Sequence, residues 1–388
     1  MSKLEELIQK LCPGEVEYKN LEKVVRCTKG KQLNKQGLFE EGLYPVINGG
    51  ISPSGFWNES NFDKDLITIS QGGASAGYIS WQKSKFWAGA HCYVLVDNIK
   101  EINYRFLYHV MKMYEKKLTE CQYGAGIPAL ATKTVNSLKI PVPPIEVQRE
   151  IVRILDNFTE LTAELTAELT ARKKQYEYYR DELISNASYP RVKLSQIATT
   201  MFRGNGIKRD EVTAEGVPCI RYGEIYTSYG VHFSQCISHT KKDLIANPKT
   251  LKKNDVLFAI TGENIEDIAK TTAYVGDEDG YVGGDIVVLR HNQNAKYLSY
   301  ALSTKDAVNQ KGKGKVKSKV VHSSVPAISN IVIPLPSLKE QQTIVDILDK
   351  FAAYCNDFSI GLPAEIAARQ KQYEYYRDKL LTFKELQG

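Results

Sequence analysis

No run of about 18 apolar residues occurs in the chain, which excludes a membrane-spanning helix. The seven cysteines (Cys12, Cys27, Cys92, Cys121, Cys219, Cys236 and Cys355) contain no C-x-x-C pair. Neither a zinc ribbon nor a disulfide framework is therefore expected. The six histidines lack metal-ligand spacing, so no metal is expected. No G-x-x-x-x-G-K-[ST] loop is present, which argues against an ATP-driven motor. Met1-Ser2-Lys3-Leu4-Glu5-Glu6 has no apolar signal core, and the expectation is a protein of the reducing cytoplasm.

What remains is ordinary globular composition: 43% hydrophobic and 25% charged over 388 residues. A chain of this length needs more than one core. The net charge of +6 permits a polyanionic partner without locating it. The charge is concentrated between Asn309 and His322, a segment with five lysines and no acid.

An internal repeat organises the chain. Ile140-Pro-Val-Pro-Pro-Ile-Glu-Val-Gln-Arg-Glu-Ile-Val-Arg-Ile-Leu-Asp-Asn-Phe158 returns as Ile333-Pro-Leu-Pro-Ser-Leu-Lys-Glu-Gln-Gln-Thr-Ile-Val-Asp-Ile-Leu-Asp-Lys-Phe351. Lys174-Gln-Tyr-Glu-Tyr-Tyr-Arg-Asp181 returns unchanged as Lys371 to Asp378. In the first copy Ile151, Leu155, Phe158, Leu161, Leu165, Leu169, Tyr176, Tyr179 and Leu183 recur at helical steps, and no proline interrupts Glu146 to Tyr189. In the second copy Ser359-Ile-Gly-Leu-Pro363 breaks the helix, with Pro363 restarting it. Two such stripes bury each other most simply as an antiparallel coiled coil.

The segments between these helices carry short apolar runs, Leu66-Ile-Thr-Ile-Ser, Cys92-Tyr-Val-Leu-Val, Val256-Leu-Phe-Ala-Ile and Ile286-Val-Val-Leu, read as strands of α/β domains. They are weakly alike. Leu21-x-x-Val24 matches Leu194-x-x-Ile197, Pro45-Val-Ile47 matches Pro218-Cys-Ile220, and Asp65-Leu-Ile is set against Asp255-Val-Leu. A constant frame with two diverged heads suggests that the heads read different things.

On these residues the chain resembles the DNA-specificity subunits of type I restriction–modification enzymes. The paired Ile-Pro-x-Pro…Gln…Ile-Val-x-Ile-Leu-Asp segments, the two Lys-Gln-Tyr-Glu-Tyr-Tyr-Arg-Asp segments, Ile69-Ser-Gln-Gly-Gly-Ala-Ser-Ala-Gly77 and Leu161 to Leu169 carry the resemblance. It implies an α+β pseudo-twofold protein with two α/β target-recognition domains separated by two long helices. The expected division is an N-terminal helix (1–14), recognition domain one (15–143), spacer helix one (144–189), recognition domain two (190–336) and spacer helix two (337–388). It further implies a non-catalytic, cofactor-free subunit that reads a bipartite asymmetric site on double-stranded DNA. Two methyltransferase subunits dock on such a protein, and two motor-nuclease subunits join for restriction. A stand-alone two-headed DNA-binding protein is the alternative.

Candidate DNA contacts lie on aligned loops. Lys29 and Lys31 match Arg203 and Asn205; Asn48 matches Arg221, whose fork suits guanine. Gln71 and Ser75 follow one strand, Thr261 and Asn264 its counterpart. Tyr123, in Gln122-Tyr-Gly-Ala-Gly-Ile-Pro128, and Lys133 precede the first repeat helix. Lys311, Lys313, Lys315, Lys317, Lys319 and His322 precede the second, where interleaved glycines let a backbone approach phosphates. Tyr176, Tyr179, Arg180 and their copies Tyr373, Tyr376 and Arg377 form the expected subunit-docking surface. Thr162-Ala-Glu-Leu165 and Thr166-Ala-Glu-Leu169 are a tandem repeat, either plain helix sequence or a ruler adding about 6 Å per unit.

Phe202-Arg-Gly-Asn-Gly206 spells F-x-G-x-G, a pattern of S-adenosylmethionine-dependent methyltransferases. The aligned Thr28-Lys-Gly-Lys-Gln lacks it, and no Asp/Asn-Pro-Pro-Tyr/Phe accompanies it, so a methyltransferase is rejected.

Overall fold

Alternation along paired strands sorts each head into two cores. A computed structural model describes residues 3–33, 38–122, 128–313, 320–356 and 361–386. The chain divides into two units, Met1–Thr166 with Glu365–Gly388, and Ala167–Ala364.

In the first unit the strands Arg26–Lys29, Cys92–Val96, Leu66–Ser70 and Ile79–Gln82 form an antiparallel sheet in that order. Ile67, Ile69, Tyr93 and Leu95 face the helix Tyr104–Glu120, meeting Phe106, Leu107, Val110 and Met111. The alternate residues Cys92 and Val94 face Phe86 and Ala88, the latter on a small sheet of Phe56–Trp57, Tyr44–Ile47 and Trp87–Ala88. Burial on both faces explains why Cys92–Val96 reads as a continuous apolar run.

The second unit repeats the plan with larger sheets. Ala198–Arg203, Ile286–His291, Val256–Ala259, Lys270–Tyr274 and His232–Phe233 form one. Val287 and Leu289 face one core while Ile286 and Val288 face the other. Ile47 pairs in parallel with Ala88, and Ile220 likewise with Val282. The expected match of Pro45–Ile47 with Pro218–Ile220 is thus present as paired strands. Leu21–Val24 and Leu194–Ile197 are short helices that each bury their leucine fully.

One expected alignment is off by a residue. Ile67 pairs with Leu95 and Val256 with Leu289, which sets Asp65 against Asn254. Both adopt left-handed backbone, φ 60° and 68°, a conformation that Asp and Asn tolerate better than most residues. Asp255 instead lies buried against Arg290 at 3.0 Å.

The repeat helices form as their periodicity predicts. Ile145–Ile184 is a single 40-residue helix; residues through Thr166 belong to the first unit and the rest to the second. The second copy is two helices, Leu338–Asn356 and Leu362–Leu381, with Pro363 in the first turn of the latter. In the first unit Phe158 stacks on Tyr376 with centroids 5.4 Å apart. In the second Tyr179 meets Phe351 at 6.1 Å. Val16 bridges Glu385, joining the chain's two ends within the first unit. Among the described residues no helix is long and apolar enough to cross a membrane, and no group of three or more His, Cys, Asp or Glu could hold a metal.

Candidate nucleic-acid interface

Each head places its basic loop by letting two backbones touch. Gly30 N donates to Cys92 O and Lys31 N to Ala88 O, at 3.0 and 2.8 Å. In the second unit Gly204 N donates to Ile286 O and Asn205 N to Val282 O, at 2.9 and 3.0 Å. A Cβ on Gly30 would fall 2.2 Å from Ala88 O, and one on Gly204 2.2 Å from Gly283 O. Gly204 is therefore required by a strand crossing, which accounts for a glycine of the F-x-G-x-G pattern without a cofactor. The residues flanking these glycines are Lys29 and Lys31 in one head, Arg203 and Asn205 in the other.

In the second unit three expected residues line one cleft of about 860 Å³: Arg203, Asn205 and Arg221. Arg209 and Tyr222, which sequence reasoning did not single out, share it. Arg203 Nη2 pairs with Asp285 at 2.6 Å, and its Nε donates to Gly284 O. Asn205 is turned to the protein, donating to the carbonyls of Ala246 and Asn247 at 3.0 and 2.8 Å. Arg221 Nε donates to Glu224 Oε1 at 3.1 Å. Tyr222 remains 39% exposed beside it.

The corresponding edge of the first unit sets two amides, Asn48 and Gln71, where the second has arginine. Asn48 Oδ1 accepts from His91 N at 3.1 Å, and Gln71 N donates to His91 O at 2.9 Å. With its amide oxygen turned to Lys29 Nζ, 3.1 Å away, Gln71 also donates to Ala90 O at 3.2 Å. Lys29, Asn48 and Gln71 are thereby joined through His91. Lys31 is exposed nearby, and Ser75 sits half-buried in a turn whose carbonyl accepts from Tyr78 N at 2.9 Å. Ile51, on the same loop as Asn48, is 67% exposed.

A second group gathers in the second unit where Thr261–Gly262 pairs with Val321–His322. Thr261 Oγ1 and His322 Nδ1 are 3.2 Å apart. Asn264 is exposed but holds Asp267 through both ends of its amide, at 2.9 and 2.7 Å. In the first unit Gly72 bridges Ala129 at the matching place. Lys133 is exposed on the short helix Thr132–Asn136. Tyr123, Lys315, Lys317 and Lys319 lie outside the described residues.

Lys311 lies inside the protein, against expectation. The helix Lys305–Gly312 runs into the expected loop and carries Lys311 inward. Its Nζ is buried, donating to Thr271 Oγ1 at 2.7 Å, with the Phe258 ring centroid 5.9 Å away. Burial pushes its pKa down to about 7. It has no access to a phosphate. Lys313, just past the helix, is exposed.

Four of the six expected docking residues, Tyr176, Tyr373, Arg180 and Arg377, also lie largely inside, against expectation. Tyr176 is buried in the second unit's core at 9% exposure. The Tyr373 ring packs on the first core, with its hydroxyl 3.0 Å from His109 Nδ1. The side chains of Arg180 and Arg377 are 12% and 14% exposed, each paired with the next aspartate at 2.7 Å. A three- and four-residue stripe faces the core, and these residues lie on its edge. The exposed rings are Tyr178 and Tyr375, at 60% and 62%, with Tyr179 and Tyr376 at 43% and 39%.

Sequence reasoning missed the contacts that tie head to helix. Gln148 and Gln341, both fully buried, accept from the backbone N–H of the helix caps Asn103 and Asn294 at 2.8 and 3.0 Å. Each also donates back to a proline carbonyl, Pro143 at 2.7 Å and Pro336 at 2.9 Å. The signal was available, since both glutamines are identical polar residues inside an apolar repeat.

Two regions of the chain, residues 13–172 and 189–368, match the type I restriction modification DNA specificity domain family. The chain belongs to this family. It is 30% identical to a putative type I restriction enzyme specificity subunit of Haemophilus influenzae, over 97% of this chain and 98% of that one. It is 33% identical to the EcoR124I/EcoR124II specificity subunit of Escherichia coli over 63% of each chain. Its fold is similar to the S subunit of a type I restriction-modification system from M. genitalium, with TM-score 0.54, 18% identity and coverage of 96% and 97%. A chain from a structural study of complex assembly in the type I R-M system aligns with TM-score 0.60 at 17% identity, covering 96% and 98%.

Proposed function

We propose that the chain is the subunit that gives a type I restriction–modification enzyme its DNA sequence specificity. Each unit presents its basic edge to one half of a split, asymmetric site on double-stranded DNA, and the bases between the halves are not read. The chain performs no chemistry of its own. Methyltransferase subunits dock on the repeat helices, one per copy, through Tyr178, Tyr179, Tyr375 and Tyr376. Motor-nuclease subunits join for restriction.

One observation carries this reading: the frame is duplicated down to single hydrogen bonds while the edges differ. Gln148 and Gln341 hold equivalent caps, yet the matched edge positions are Lys29 and Asn48 in one head and Arg203 and Arg221 in the other. Identical supports with different polar edges suit one enzyme reading two unlike sequences. An antiparallel pairing of the repeat helices is supported by Phe158 against Tyr376 and Tyr179 against Phe351, since numbers rise along one helix as they fall along the other.

The test is a single-molecule map of N6-methyladenine in cells carrying a methyltransferase subunit that binds this chain, with and without the chain. Methylation at one split, asymmetric motif that disappears with the chain is the expected result. An active methyltransferase whose map is indifferent to the chain overturns the reading in favour of a stand-alone DNA-binding protein.

A further inference from the structure

We propose that Arg221 reads a G·C pair in the DNA half-site of the second unit, and that buried Glu224 is the positioning residue that holds its guanidinium for this purpose. The inference rests on the reading of the chain as a specificity subunit.

Arg221 follows the strand Val217–Ile220 directly and caps the helix Tyr222–Thr227. Its backbone is fixed from two sides. Gly283 N donates to Ile220 O at 2.8 Å, and Arg221 N donates to Glu224 Oε2 at 3.1 Å. Glu224 is 6% exposed, and its other oxygen accepts from Arg221 Nε at 3.1 Å and from Ser238 Oγ at 2.6 Å. Both carboxylate oxygens are therefore committed to Arg221, with Ser238 locking the rotamer. A guanidinium bound through Nε keeps its two terminal nitrogens for a ligand. Those two donors match guanine O6 and N7 in the major groove.

Fixation, not net charge, decides between a base and a phosphate. The cleft that Arg221 lines also holds Arg203, Arg209, Glu224 and Asp285, with Asp285 paired to Arg203 at 2.6 Å, so its carboxylates are offset by arginines. A phosphate contact tolerates a mobile cation and gives no reason to dedicate a buried carboxylate to one arginine, whereas a base edge is read only by a fork held in one orientation. The matched residue of the first unit is Asn48, with Ile51 three positions on, so that head reads its half-site by other means.

The experiment maps N6-methyladenine in cells expressing the methyltransferase with wild-type chain, Arg221→Lys or Glu224→Gln. Wild type should give a split motif with a G·C pair in one half. Arg221→Lys keeps the charge but loses the fork, and discrimination at that pair should fall roughly 10- to 100-fold with every other position unchanged. Glu224→Gln, nearly isosteric, should relax the same position to a smaller degree. Continued reading of the other half-site reports that both variants fold. A uniform loss of methylation with no change in base preference, or no change at all, overturns the inference alone. A wild-type map without a split motif overturns the underlying reading and the inference with it.

Discussion

Asp349 accepts a 2.6 Å hydrogen bond from the Tyr300 hydroxyl at the place where, one repeat earlier, Asp156 meets His109 Nε2 at 2.8 Å. Arg105 and Lys296 complete the equivalence, at 2.9 Å from Asp156 and 2.7 Å from Asp349. The two heads grip their repeat helices with the same carboxylate and different donors. Burial pushes Asp349 upward, but hydrogen bonds from His232, Lys296 and Tyr300 outweigh it and hold its pKa well below the usual carboxylate range. In the first unit burial lowers the His109 pKa below the ordinary imidazole value, which favours the neutral ring. Its Nε2–H then donates to Asp156 while Nδ1 accepts from the Tyr373 hydroxyl.

Tyr300→Phe should cost about 1.5–3 kcal/mol, the range for a hydrogen bond to a charged acceptor. Asp349 has a lowered pKa, so its stabilisation is present above the ordinary carboxylate pKa of roughly 4 and lost as pH falls through the folded value. Asp349→Asn should therefore be less stable than wild type at pH 7 and show a flatter acid limb below about pH 4. Urea midpoints across pH 3–7 check both; equal midpoints at every pH would make the grip ornamental.

The duplicated helices were legible because an apolar period survives in one dimension, and Lys174–Asp181 repeats verbatim. The heads were less so. Residue identity aligns Asp65 with Asp255, whereas strand register places Asn254 there, where a left-handed backbone matters more than the name of the residue. Lys311 reads as part of a loop because glycines follow it. Helix propagation from the Thr304 cap, which accepts from Ala307 N, carried it inside instead. Tyr176 and Tyr178 differ by two positions, one buried and one exposed, and repeat identity alone could not choose between them.

Replacing Gly204 with alanine should destabilise the second unit by about 1–3 kcal/mol or more, because the new methyl meets the carbonyl oxygens of Val282 and Gly283. Gly206, with nothing within 4 Å of a built Cβ, is the control and should accept alanine. Thermal denaturation separates them. Equal melting would mean that the F-x-G-x-G glycines answer to something other than the strand crossing.

Lys311 provides a pH test of opposite sign. Its folded pKa of about 7 lies below the unfolded 10.5, so the unfolded chain binds more protons between those values. Stability contributed at this site rises from pH 7 upward, and the penalty is fully present below it. Lys311→Met should raise stability at pH 6–7 by roughly 1–3 kcal/mol and lose that advantage towards pH 10. Guanidinium midpoints for the pair of proteins at pH 6, 8 and 9.5 give the curve. An advantage that grows with pH would contradict the buried ammonium.

Tyr178 and Tyr375 occupy equivalent, exposed positions on the two copies, so changing both to alanine should leave folding within about 0.5 kcal/mol. Binding of the methyltransferase subunit should weaken, with each single variant weakening one of two sites. Titration calorimetry counts the sites. Retention of both at unchanged affinity would move the docking surface off these helices.

The tandem unit Thr162–Leu165 and Thr166–Leu169 lies wholly within the 40-residue helix. Thr162 Oγ1 donates to Phe158 O at 2.8 Å and Thr166 Oγ1 to Thr162 O at 2.7 Å, so each unit repeats the same internal bond one turn on. A further unit can thus be inserted without changing local chemistry, lengthening the helix by about 6 Å. That is nearly two base-pair steps of roughly 3.4 Å. Deleting or adding one unit should change the number of unread bases between the half-sites and leave the half-sites themselves intact, as read from the methylation map of each variant. A fixed gap with altered half-site bases would show that this stretch supports the heads without measuring the distance between their targets.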